Sequence, residues 1–500
     1  MSATKPPREE FPESDPEDTS EELTEVVCLE SDLQDGQMME VEVGQHSVLL
    51  SRTEGEYSAI GNQCTHYGAP LSQGVISGNT VRCPWHGACF NIHTGDLEEY
   101  PGMDCLPCHK VQTTPTDIYS HFNTLKQEKR VKRMGAAVAG VTHTVLLLGG
   151  GAASLICAET LRQENFGGRI IMVTRDDLLP YDKTRLSKVM NVENDSILLR
   201  RSEFFYQHDI EVWLRKEAVS VDTDMKTVAF EDGSVQSYDH LLISTGCRAK
   251  GLDVPGTKLD NMLTEQNVKF YMNENVTEIK GVDGKVKEVV LKSGKVIPAD
   301  VLIVGIGIKP NSEFLRGSKI LTDSKNFVPV DRYMRTNVPG VFCGGDLATF
   351  PLAMAKNRPV NIGHWQMAQA HGRIAALNML DKQIELSSVP FYWTVLLGKT
   401  IRYTGFGEGY TDIVMKGALE DRKFLALYIK NDEVVAAASL NYDPAASAVA
   451  ERFAAGKVIT KKEAEVVYFI SWLRVSWGYS SDSPETPQFR CCSVSLIGGV

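Results

Sequence analysis

The segments Cys64-Thr65-His66 and Cys83-Pro84-Trp85-His86 place two thiols and two imidazoles on short stretches separated by sixteen residues. In one type of [2Fe–2S] cluster, one iron takes thiolate ligands and the other takes histidine nitrogens. Zinc also accepts two Cys and two His, but zinc fingers pair C-x2–4-C with H-x3–5-H instead of alternating the two residue types. We therefore predict that Cys64, His66, Cys83 and His86 bind a [2Fe–2S] cluster.

Both segments continue into glycine and proline or alanine, which indicates tight turns whose backbone can wrap a metal site. They resemble the Rieske domains of ferredoxins and oxygenase components, over about residues 25–115. That resemblance implies an all-β domain. High-potential Rieske proteins have two further cysteines, where this chain has Ala69 and Trp85, and Ala88 replaces a common hydroxyl donor. We expect a reduction potential at the low end of the Rieske range, about −150 mV.

The composition is that of a globular protein of about three domains, with 43% hydrophobic and 23% charged residues in a chain of 500. The formal net charge is −12, but residues 1–25 hold nine acidic side chains against Lys5 and Arg8, and we predict this tail to be disordered. The chain lacks the basic patch that nucleic acid requires and the roughly 18-residue apolar stretch of a membrane helix. We predict neither a nucleic-acid partner nor a transmembrane segment.

The eleven cysteines and the absence of a signal-peptide or transit-peptide pattern indicate a reducing compartment. We expect the cytoplasm, with the mitochondrion as the alternative.

A different pattern begins near residue 141, where the apolar strand Val141–Leu148 leads through Gly149–Ser154 into a predicted helix, Leu155–Glu164. Bare backbone N–H groups at such a helix start bind a dinucleotide pyrophosphate. Serine occupies the place of the third glycine, and Asp176 follows the next strand, Arg169–Thr174, one position later than a ribose-binding acid should. The predicted cofactor contacts of this unit are Gly149, Gly151, Ala152, Ser154 and Asp176.

Two later segments, Leu241–Gly246 and Thr336–Asp346, are strands that end in small residues, the second in Gly-Asp. Together with the first turn, they resemble the three FAD-contacting segments of the two-dinucleotide-binding flavoproteins. The resemblance implies FAD contacts at Thr245, Gly246, Gly345 and Asp346, with Asp346 at the ribitol chain.

The segment Leu179–Lys188 is similar to the L-P-Y-x-R-P-x-L-S-K segment of ferredoxin reductases and apoptosis-inducing factors. This similarity implies FAD contacts at Lys183 and Lys188, with Lys188 beside the flavin. The disulfide reductases instead carry C-x4-C on the first helix, where this chain has Cys157 alone. Residues from Val389 onward look like the carboxyl-terminal domain of the reductase family, in which Trp393 matches a ring near the flavin.

The order of these parts resembles the Rieske-containing, apoptosis-inducing-factor-like oxidoreductases from about residue 30 to 473. We predict a multidomain chain: an all-β Rieske domain, an α/β FAD-binding fold and a carboxyl-terminal α+β domain. The predicted parts are an acidic tail (1–25), the Rieske domain (26–115), a basic linker (116–140), the FAD-binding domain (141–263 and 307–385), a remnant of an NAD-binding domain (264–306), the α+β domain (386–473) and an unstructured tail (474–500).

Members of this family bind a nicotinamide dinucleotide in a second nucleotide fold, inserted between the two FAD segments. None of the five glycines between Gly246 and Gly305 forms G-x-G after an apolar strand, so the first half of that fold is missing from the sequence. The surviving strands, Val268–Tyr271, Lys285–Lys292 and Ala299–Asn311, would then expose apolar side chains and unpaired edges. This absence argues against NAD(P)H binding by this chain.

The resemblance implies a flavin-dependent oxidoreductase that passes electrons between NAD(P)H, FAD and the cluster to an unknown acceptor, as a monomer or a homodimer. This chemistry requires no acid, base or nucleophile from the protein, and we assign no catalytic residue. The alternative is a redox-sensing or pro-apoptotic scaffold that binds FAD and the cluster without turnover. A Rieske oxygenase would need two His and a carboxylate on one iron, but His364 and His371 on the predicted helix Trp365–Met379 have no paired carboxylate.

Overall fold

The structure is a computed structural model that describes residues 22–114, 116–123, 129–186, 192–249, 269–271 and 273–466. Residues 1–21, Lys188, residues 250–268 and residues 467–500 lie outside the described residues. The predictions for Lys188, for most of the acidic tail, for the start of the NAD-domain remnant and for the carboxyl-terminal tail therefore stay predictions.

The amino-terminal part consists of two antiparallel sheets. The larger sheet contains, in spatial order, Glu22–Leu29, Asp117–Asn123, Cys108–Thr113, Glu56–Gly61, His46–Thr53 and Gln37–Val43. The smaller sheet contains Val75–Ser77, Thr80–Arg82, Cys89–Asn91 and Leu97–Glu99. The cluster segments flank this smaller sheet, and Cys64 and Cys83 are buried in its apolar core with Leu71, Val81 and Phe90.

The larger sheet extends beyond both boundaries that the sequence suggests for this domain. Glu22–Leu29 lies partly in the predicted acidic tail, and Asp117–Asn123 lies in the predicted linker 116–140. These two strands pair with each other, and Asp117–Asn123 also pairs with Cys108–Thr113. The sheet therefore starts before residue 26 and ends after residue 115, because pairing between distant segments orders stretches whose composition alone suggested a tail and a linker.

The central part is built on a five-stranded parallel sheet. Its spatial order is Ile210–Trp213, Arg169–Val173, Thr144–Leu148, His240–Ile243 and Val341–Cys343. The chain adds strands on one side of Thr144–Leu148 and then on the other, so the topological switch point lies at this strand, where doubly wound sheets bind dinucleotides. The helix Ala152–Gln163 follows directly and packs against Trp365–Met379.

Smaller elements surround this sheet. Three accessory sheets contain Ala218–Asp222, Thr227–Phe230 and Val235–Ser237; Cys247–Ala249 and Ile308–Pro310; and Val328–Pro329, Ala348–Leu352 and Arg358–Val360. The short helices here are Lys183–Leu186, Asn194–Ile197 and Ser202–Gln207, with 3-10 turns at Glu313–Leu315, Gly345–Leu347 and Ala353–Ala355. The amino-terminal part has 3-10 turns at Glu30–Asp32 and Leu71–Gln73.

Within the described residues, the predicted NAD-domain remnant forms a three-stranded antiparallel sheet, Val276–Val282, Lys285–Leu291 and Val296–Pro298, and residues 269–271 of the predicted strand Val268–Tyr271 are not in a strand. The predicted strand Ala299–Asn311 is wrong over most of its length, because only Ile308–Pro310 is paired. Val301 and Ile303 are 76% and 89% exposed, as expected for apolar segments without the sheet on which they would pack.

The carboxyl-terminal domain has the predicted α+β composition. Its antiparallel sheet runs in the order Phe391–Leu396, Lys399–Gly405, Glu433–Leu440, Lys423–Lys430 and Asp412–Ala418. The helices Ala445–Ala454 and Lys461–Glu465 follow, and the first of them packs on the sheet. The predicted fold class is therefore confirmed. No helix of the described part of the chain is both long and apolar enough to cross a bilayer.

Candidate redox site between three domains

The two cluster loops have the same backbone geometry. In each, the cysteine N–H donates to the carbonyl five residues later, from Cys64 to Ala69 and from Cys83 to Ala88, at 2.8 Å in both cases. Glycine occupies the left-handed conformation four residues after each cysteine, with φ of 75° at Gly68 and 78° at Gly87. In the first turn, the backbone N–H groups of His66 and Tyr67 point at the Cys64 sulfur. In the second, those of Trp85 and His86 point at the Cys83 sulfur.

The four predicted ligands converge as two pairs of like residues. The Nδ1 atoms of His66 and His86 are 3.0 Å apart, and the thiols of Cys64 and Cys83 are hydrogen-bonded to each other. In the described residues, no three His, Cys, Asp or Glu side chains surround a common metal position. Two sulfur and two nitrogen donors in separate pairs fit a cluster of two irons, and a single zinc ion would need all four around one point.

Metal binding requires neutral imidazole and thiolate, and the two imidazoles and Cys83 are shifted toward these forms, whereas Cys64 is shifted toward the thiol. Burial lowers the pKa of His66 to about 4. Burial, His66 and Arg402 together lower the pKa of His86 to about 2. Burial opposes ionisation of Cys83, but the hydrogen bond from Cys64 and the N–H groups of His86 and Trp85 lower its pKa. The shared hydrogen bond and burial raise the pKa of Cys64.

The second cluster loop is anchored to the carboxyl-terminal domain. The guanidinium of Arg82, which is 2% exposed, donates to the Gly87 carbonyl at 2.9 Å and forms ion pairs with Glu99, at 2.9 Å, and with Glu451. The Ser447 hydroxyl donates to the Cys83 carbonyl at 2.9 Å. Helix Ala445–Ala454 therefore contacts both the predicted ligand Cys83, through Ser447, and the preceding residue Arg82, through Glu451.

Trp393 covers the imidazole pair. Its ring centroid lies 4.9 Å from that of His86 and 5.6 Å from that of His66. The indole also contacts the ring of His364, with the centroids 4.9 Å apart, and His364 immediately precedes the helix Trp365–Met379 of the FAD-type domain. Trp393 thus connects the predicted cluster to the central domain.

The first glycine turn has the shape of a dinucleotide-binding turn. A Cβ atom on Gly149 would lie 2.3 Å from the Ser244 carbonyl oxygen, and one on Gly150 would lie 2.8 Å from Thr174. At Gly151 nothing lies within 4 Å, so the start of helix Ala152–Gln163 is open on the side where a pyrophosphate binds. The turn therefore fits FAD.

Ser154 and Ala152 are buried in this turn. The Ser154 hydroxyl is 2.7 Å from that of Ser244, so the serine at the third-glycine position joins the helix to the strand His240–Ile243 by a hydrogen bond. Direct contact of these two side chains with FAD stays a prediction.

The remaining predicted FAD residues lie at the carboxyl edge of the parallel sheet. Lys183 Nζ is 3.9 Å from Asp176 Oδ2. Burial raises the pKa of Asp346, and the positive charge of Lys183 opposes this rise without cancelling it. Thr245 donates to the Asn311 carbonyl at 2.7 Å, and next to it Gly246 has open space around its Cα. Gly345 adopts a φ of 70° immediately before Asp346.

The predicted cluster site contacts the FAD-type domain at Tyr67, the residue after the predicted ligand His66. Its hydroxyl donates to Asp182 Oδ2 at 3.0 Å. The other carboxylate oxygen of Asp182 accepts from the Thr184 N–H at 2.9 Å, at the start of helix Lys183–Leu186. A cluster loop therefore contacts the segment that carries Lys183.

Further contacts dock the Rieske-type domain on the FAD-type domain. Arg200 bridges Asp104, at 2.7 Å, and Glu159 of the first helix, at 2.9 Å. Gln369 donates to the Gly102 carbonyl at 2.7 Å. His371 is fully buried against Phe350 and accepts the Gly345 N–H at 3.2 Å.

Several residues of this site were not identified from the sequence, namely Tyr67, Arg82, Asp182, His364, Arg402, Ser447 and Glu451. Asp182 and Arg402 lie inside segments that the family resemblance had already singled out. Their roles depend on contacts between domains, for which the sequence contains no local signal.

Three protein families match successive parts of the chain. Residues 24–110 match the Rieske [2Fe-2S] domain, residues 143–262 and 257–372 match the pyridine nucleotide-disulphide oxidoreductase family, and residues 391–466 match the reductase carboxyl-terminal domain. Apoptosis-inducing factor 3 of Homo sapiens is 43% identical, over 89% of this chain and 87% of the relative. The chain belongs to the Rieske-containing, apoptosis-inducing-factor-like oxidoreductases. As a member of this family, it is an FAD-dependent oxidoreductase with an iron–sulfur domain.

Other similar proteins are less than 25% identical and cover about two thirds of this chain. The ferredoxin--NAD(+) reductase subunit of the benzene 1,2-dioxygenase system of Pseudomonas putida is 24% identical, over 65% of this chain and 95% of the relative. The putidaredoxin reductase–putidaredoxin complex has a TM-score of 0.62 at 20% identity, covering 67% of this chain and 98% of that one. The ferredoxin reductase of Rhodopseudomonas palustris has a TM-score of 0.59 at 22% identity, covering 66% and 98%. These structures share the fold.

Proposed function

We propose that this chain transfers electrons internally between bound FAD and its own Rieske cluster. When bound, FAD converts two-electron chemistry into single-electron steps, and the [2Fe–2S] cluster accepts or gives one electron at a time. The protein's contribution is to hold the two cofactor sites against each other. The observation that carries the proposal is the position of Trp393, which contacts both His86 and His364, at 4.9 Å in each case.

The contacts around Trp393 support a fixed arrangement of the two sites. Tyr67 bonds to Asp182 on one side of the cluster loops, and Arg82 pairs with Glu451 on the other. Arg200 adds a third connection, between Asp104 and Glu159. Charge-assisted contacts on several sides favour a docked domain over a tethered one.

The electron donor is a separate question, because the described residues contain no second parallel sheet with a glycine turn. Parallel pairs occur there only in the FAD-type sheet and between Val328–Pro329 and Ala348–Leu352. The alignment with the human relative spans 529 positions, more than the 500 residues of this chain, so the relative has segments that this chain lacks. We propose that NAD(P)H, the reductant implied by the family, reduces this chain poorly.

The missing nucleotide sheet also favours the second candidate function. In that case, the chain is a redox-sensing scaffold that binds FAD and the cluster, and a partner protein recognises the oxidation state of these cofactors. The human relative is named apoptosis-inducing factor 3, and a role in apoptosis belongs to this second candidate.

The test of internal transfer is anaerobic photoreduction of the bound flavin in the holoprotein, with the flavin band and the electron paramagnetic resonance (EPR) signal of the reduced cluster followed together. We expect the cluster signal to appear at a rate independent of protein concentration. The matched control is Cys83→Ser, which should retain FAD and show flavin bleaching without a cluster signal. A rate that rises with protein concentration, or a cluster that dithionite reduces but the flavin does not, rejects the proposal.

NADH in place of light separates the two candidates. Flavin bleaching by NADH no faster than that of free FAD, in protein that passes the photoreduction test, supports the scaffold. Rapid bleaching by NADH supports a complete oxidoreductase and contradicts the inference from the missing sheet.

A further inference from the structure

Arg402 is a buried cation on the face of the carboxyl-terminal sheet that covers the cluster loops. It is 2% exposed and lies directly opposite Trp393 on the neighbouring strand. Directly opposite residues of an antiparallel pair have their side chains on the same face of the sheet. Because the Trp393 ring contacts His86, Arg402 points toward the same ligand region.

The hydrogen-bonding groups of Arg402 are only partly used by the described residues. Its guanidinium donates to the Ile401 carbonyl at 3.2 Å and to Asp443 at 3.4 Å, and its Nε has no partner among them. Burial of a charged group with so few acceptors is costly unless another charge compensates it. Burial lowers the pKa of Arg402, and Asp443 and Cys83 oppose that change.

Arg402 and the second cluster loop are also joined through one segment of the carboxyl-terminal domain, which carries Asp443 and Ser447. The helix that follows Asp443 brings Ser447 to the Cys83 carbonyl at 2.9 Å. The segment that carries the counter-charge of Arg402 is therefore joined to the ligand loop itself.

A cluster with two ferric irons, two sulfides, two thiolates and two neutral imidazoles has no net charge, and the addition of one electron makes it singly negative. We propose that Arg402 is a fixed positive charge, supplied by the reductase domain, that raises the reduction potential of the Rieske cluster. It stabilises the reduced cluster because only that state is anionic. This inference deepens the proposed function and rests on the cluster that it assigns, but not on transfer from the flavin.

The experiment is a potentiometric titration of the holoprotein with dithionite and mediators, in which the EPR signal of the reduced cluster is measured. Arg402→Gln should lower the cluster potential, with at least a tenfold change in the ratio of reduced to oxidised cluster at a given poise, or about 59 mV for one electron. Arg402→Lys retains the charge and should remain closer to the wild type. Asp443→Asn removes the counter-charge and should shift the potential upward.

Arg200→Gln is the matched control, since it also removes a mostly buried interface arginine, but one that forms ion pairs with two carboxylates, those of Asp104 and Glu159. It should leave the cluster potential unchanged. If Arg402→Gln does not retain two irons per chain, Arg402→Lys and Asp443→Asn decide the question. A downward shift in Asp443→Asn, equal potentials in Arg402→Gln and the wild type, or equal shifts in Arg402→Gln and Arg200→Gln would overturn the proposal. None of these outcomes depends on flavin reduction, so the proposed internal transfer is tested separately.

Discussion

The indole ring of Trp393 and the imidazole ring of His86 have centroids 4.9 Å apart and planes inclined at 45°. The two residues belong to the carboxyl-terminal and Rieske domains, and 307 positions of sequence separate them. The carboxyl-terminal domain thus contributes part of the cluster's surroundings through Trp393, Arg402 and Ser447. The carboxyl-terminal domain therefore packs directly against the predicted iron–sulfur site.

Replacement of Trp393 should slow electron transfer from flavin to cluster. In Trp393→Leu, we expect the rate in anaerobic photoreduction to fall at least tenfold, which corresponds to about 1.4 kcal/mol in the barrier. Leucine lacks the ring that contacts both His86 and His364. Trp393→Phe should lose less, and Trp85→Leu, which removes a ring 6.4 Å from His86, is the control. Equal rates in Trp393→Leu and the wild type, at equal FAD and iron content, would show that the indole has no part in the transfer.

Loss of the buried ion pair at the domain interface should destabilise the protein. Arg82→Met leaves Glu99 and Glu451 without their common cation, and breaking a buried pair costs about 3 to 5 kcal/mol. The measurement is urea denaturation of the holoprotein. Arg332→Met, which breaks an exposed pair with Glu385, is the control and should cost at most about 1 kcal/mol. Similar losses in the two variants would contradict the structural role of Arg82.

Addition of a methyl group at the glycine turn should separate folding from cofactor binding. Gly151 has a φ of −95° and open space at its Cβ position, so Gly151→Ala should fold normally but bind FAD at least tenfold more weakly, about 1.4 kcal/mol. At Gly149, φ is 126° and the Cβ would lie 2.3 Å from the Ser244 carbonyl oxygen, so Gly149→Ala should lower the melting temperature of the apoprotein as well. Flavin fluorescence titration and thermal unfolding measure the two effects. Unchanged FAD affinity in Gly151→Ala would remove this turn from the binding site.

The buried His371 should make stability depend on pH. Burial lowers the pKa of His371 to about 3, below the value of about 6.5 in an unfolded chain. Above pH 6.5 both states are neutral and the stability is fully present. As the pH falls from about 6.5 toward 3, the unfolded chain binds the extra proton, and stability should decline by up to about 1.4 kcal/mol per pH unit. Urea midpoints at pH 7.5 and 5.5 should differ less in His371→Asn than in the wild type, and equal differences would exclude His371 as the source.

The local sequence was sufficient to predict structure where the residues that form a turn or a helix are consecutive in the chain. The two cluster loops are each built from six consecutive residues, Cys64–Ala69 and Cys83–Ala88, and the helix Trp365–Met379 has the predicted bounds. Ser154 departs from the glycine fingerprint, and the reason became visible only with Ser244 beside it. A hydrogen bond between two serines, 90 positions apart, replaces the close contact that glycine would allow.

Contacts between distant parts of the chain could not be predicted. Glu451 lies 369 positions from Arg82, and neither residue belongs to a recognisable motif. The strand Asp117–Asn123 falls in the predicted linker, and its pairing partner, Glu22–Leu29, begins inside the predicted acidic tail, so the sequence gives no sign of their pairing. The apolar segment Ala299–Asn311 is predicted to be a strand, but within the described residues only Ile308–Pro310 pairs with a neighbouring strand.

The Ser447 contact with Cys83 has a consequence for biogenesis. The ribosome synthesises Ser447 364 positions after Cys83. At about 5 to 20 residues per second, Cys83 is synthesised roughly 20 to 70 s before Ser447. The Ser447 contact can therefore form only after all four predicted cluster ligands have been synthesised.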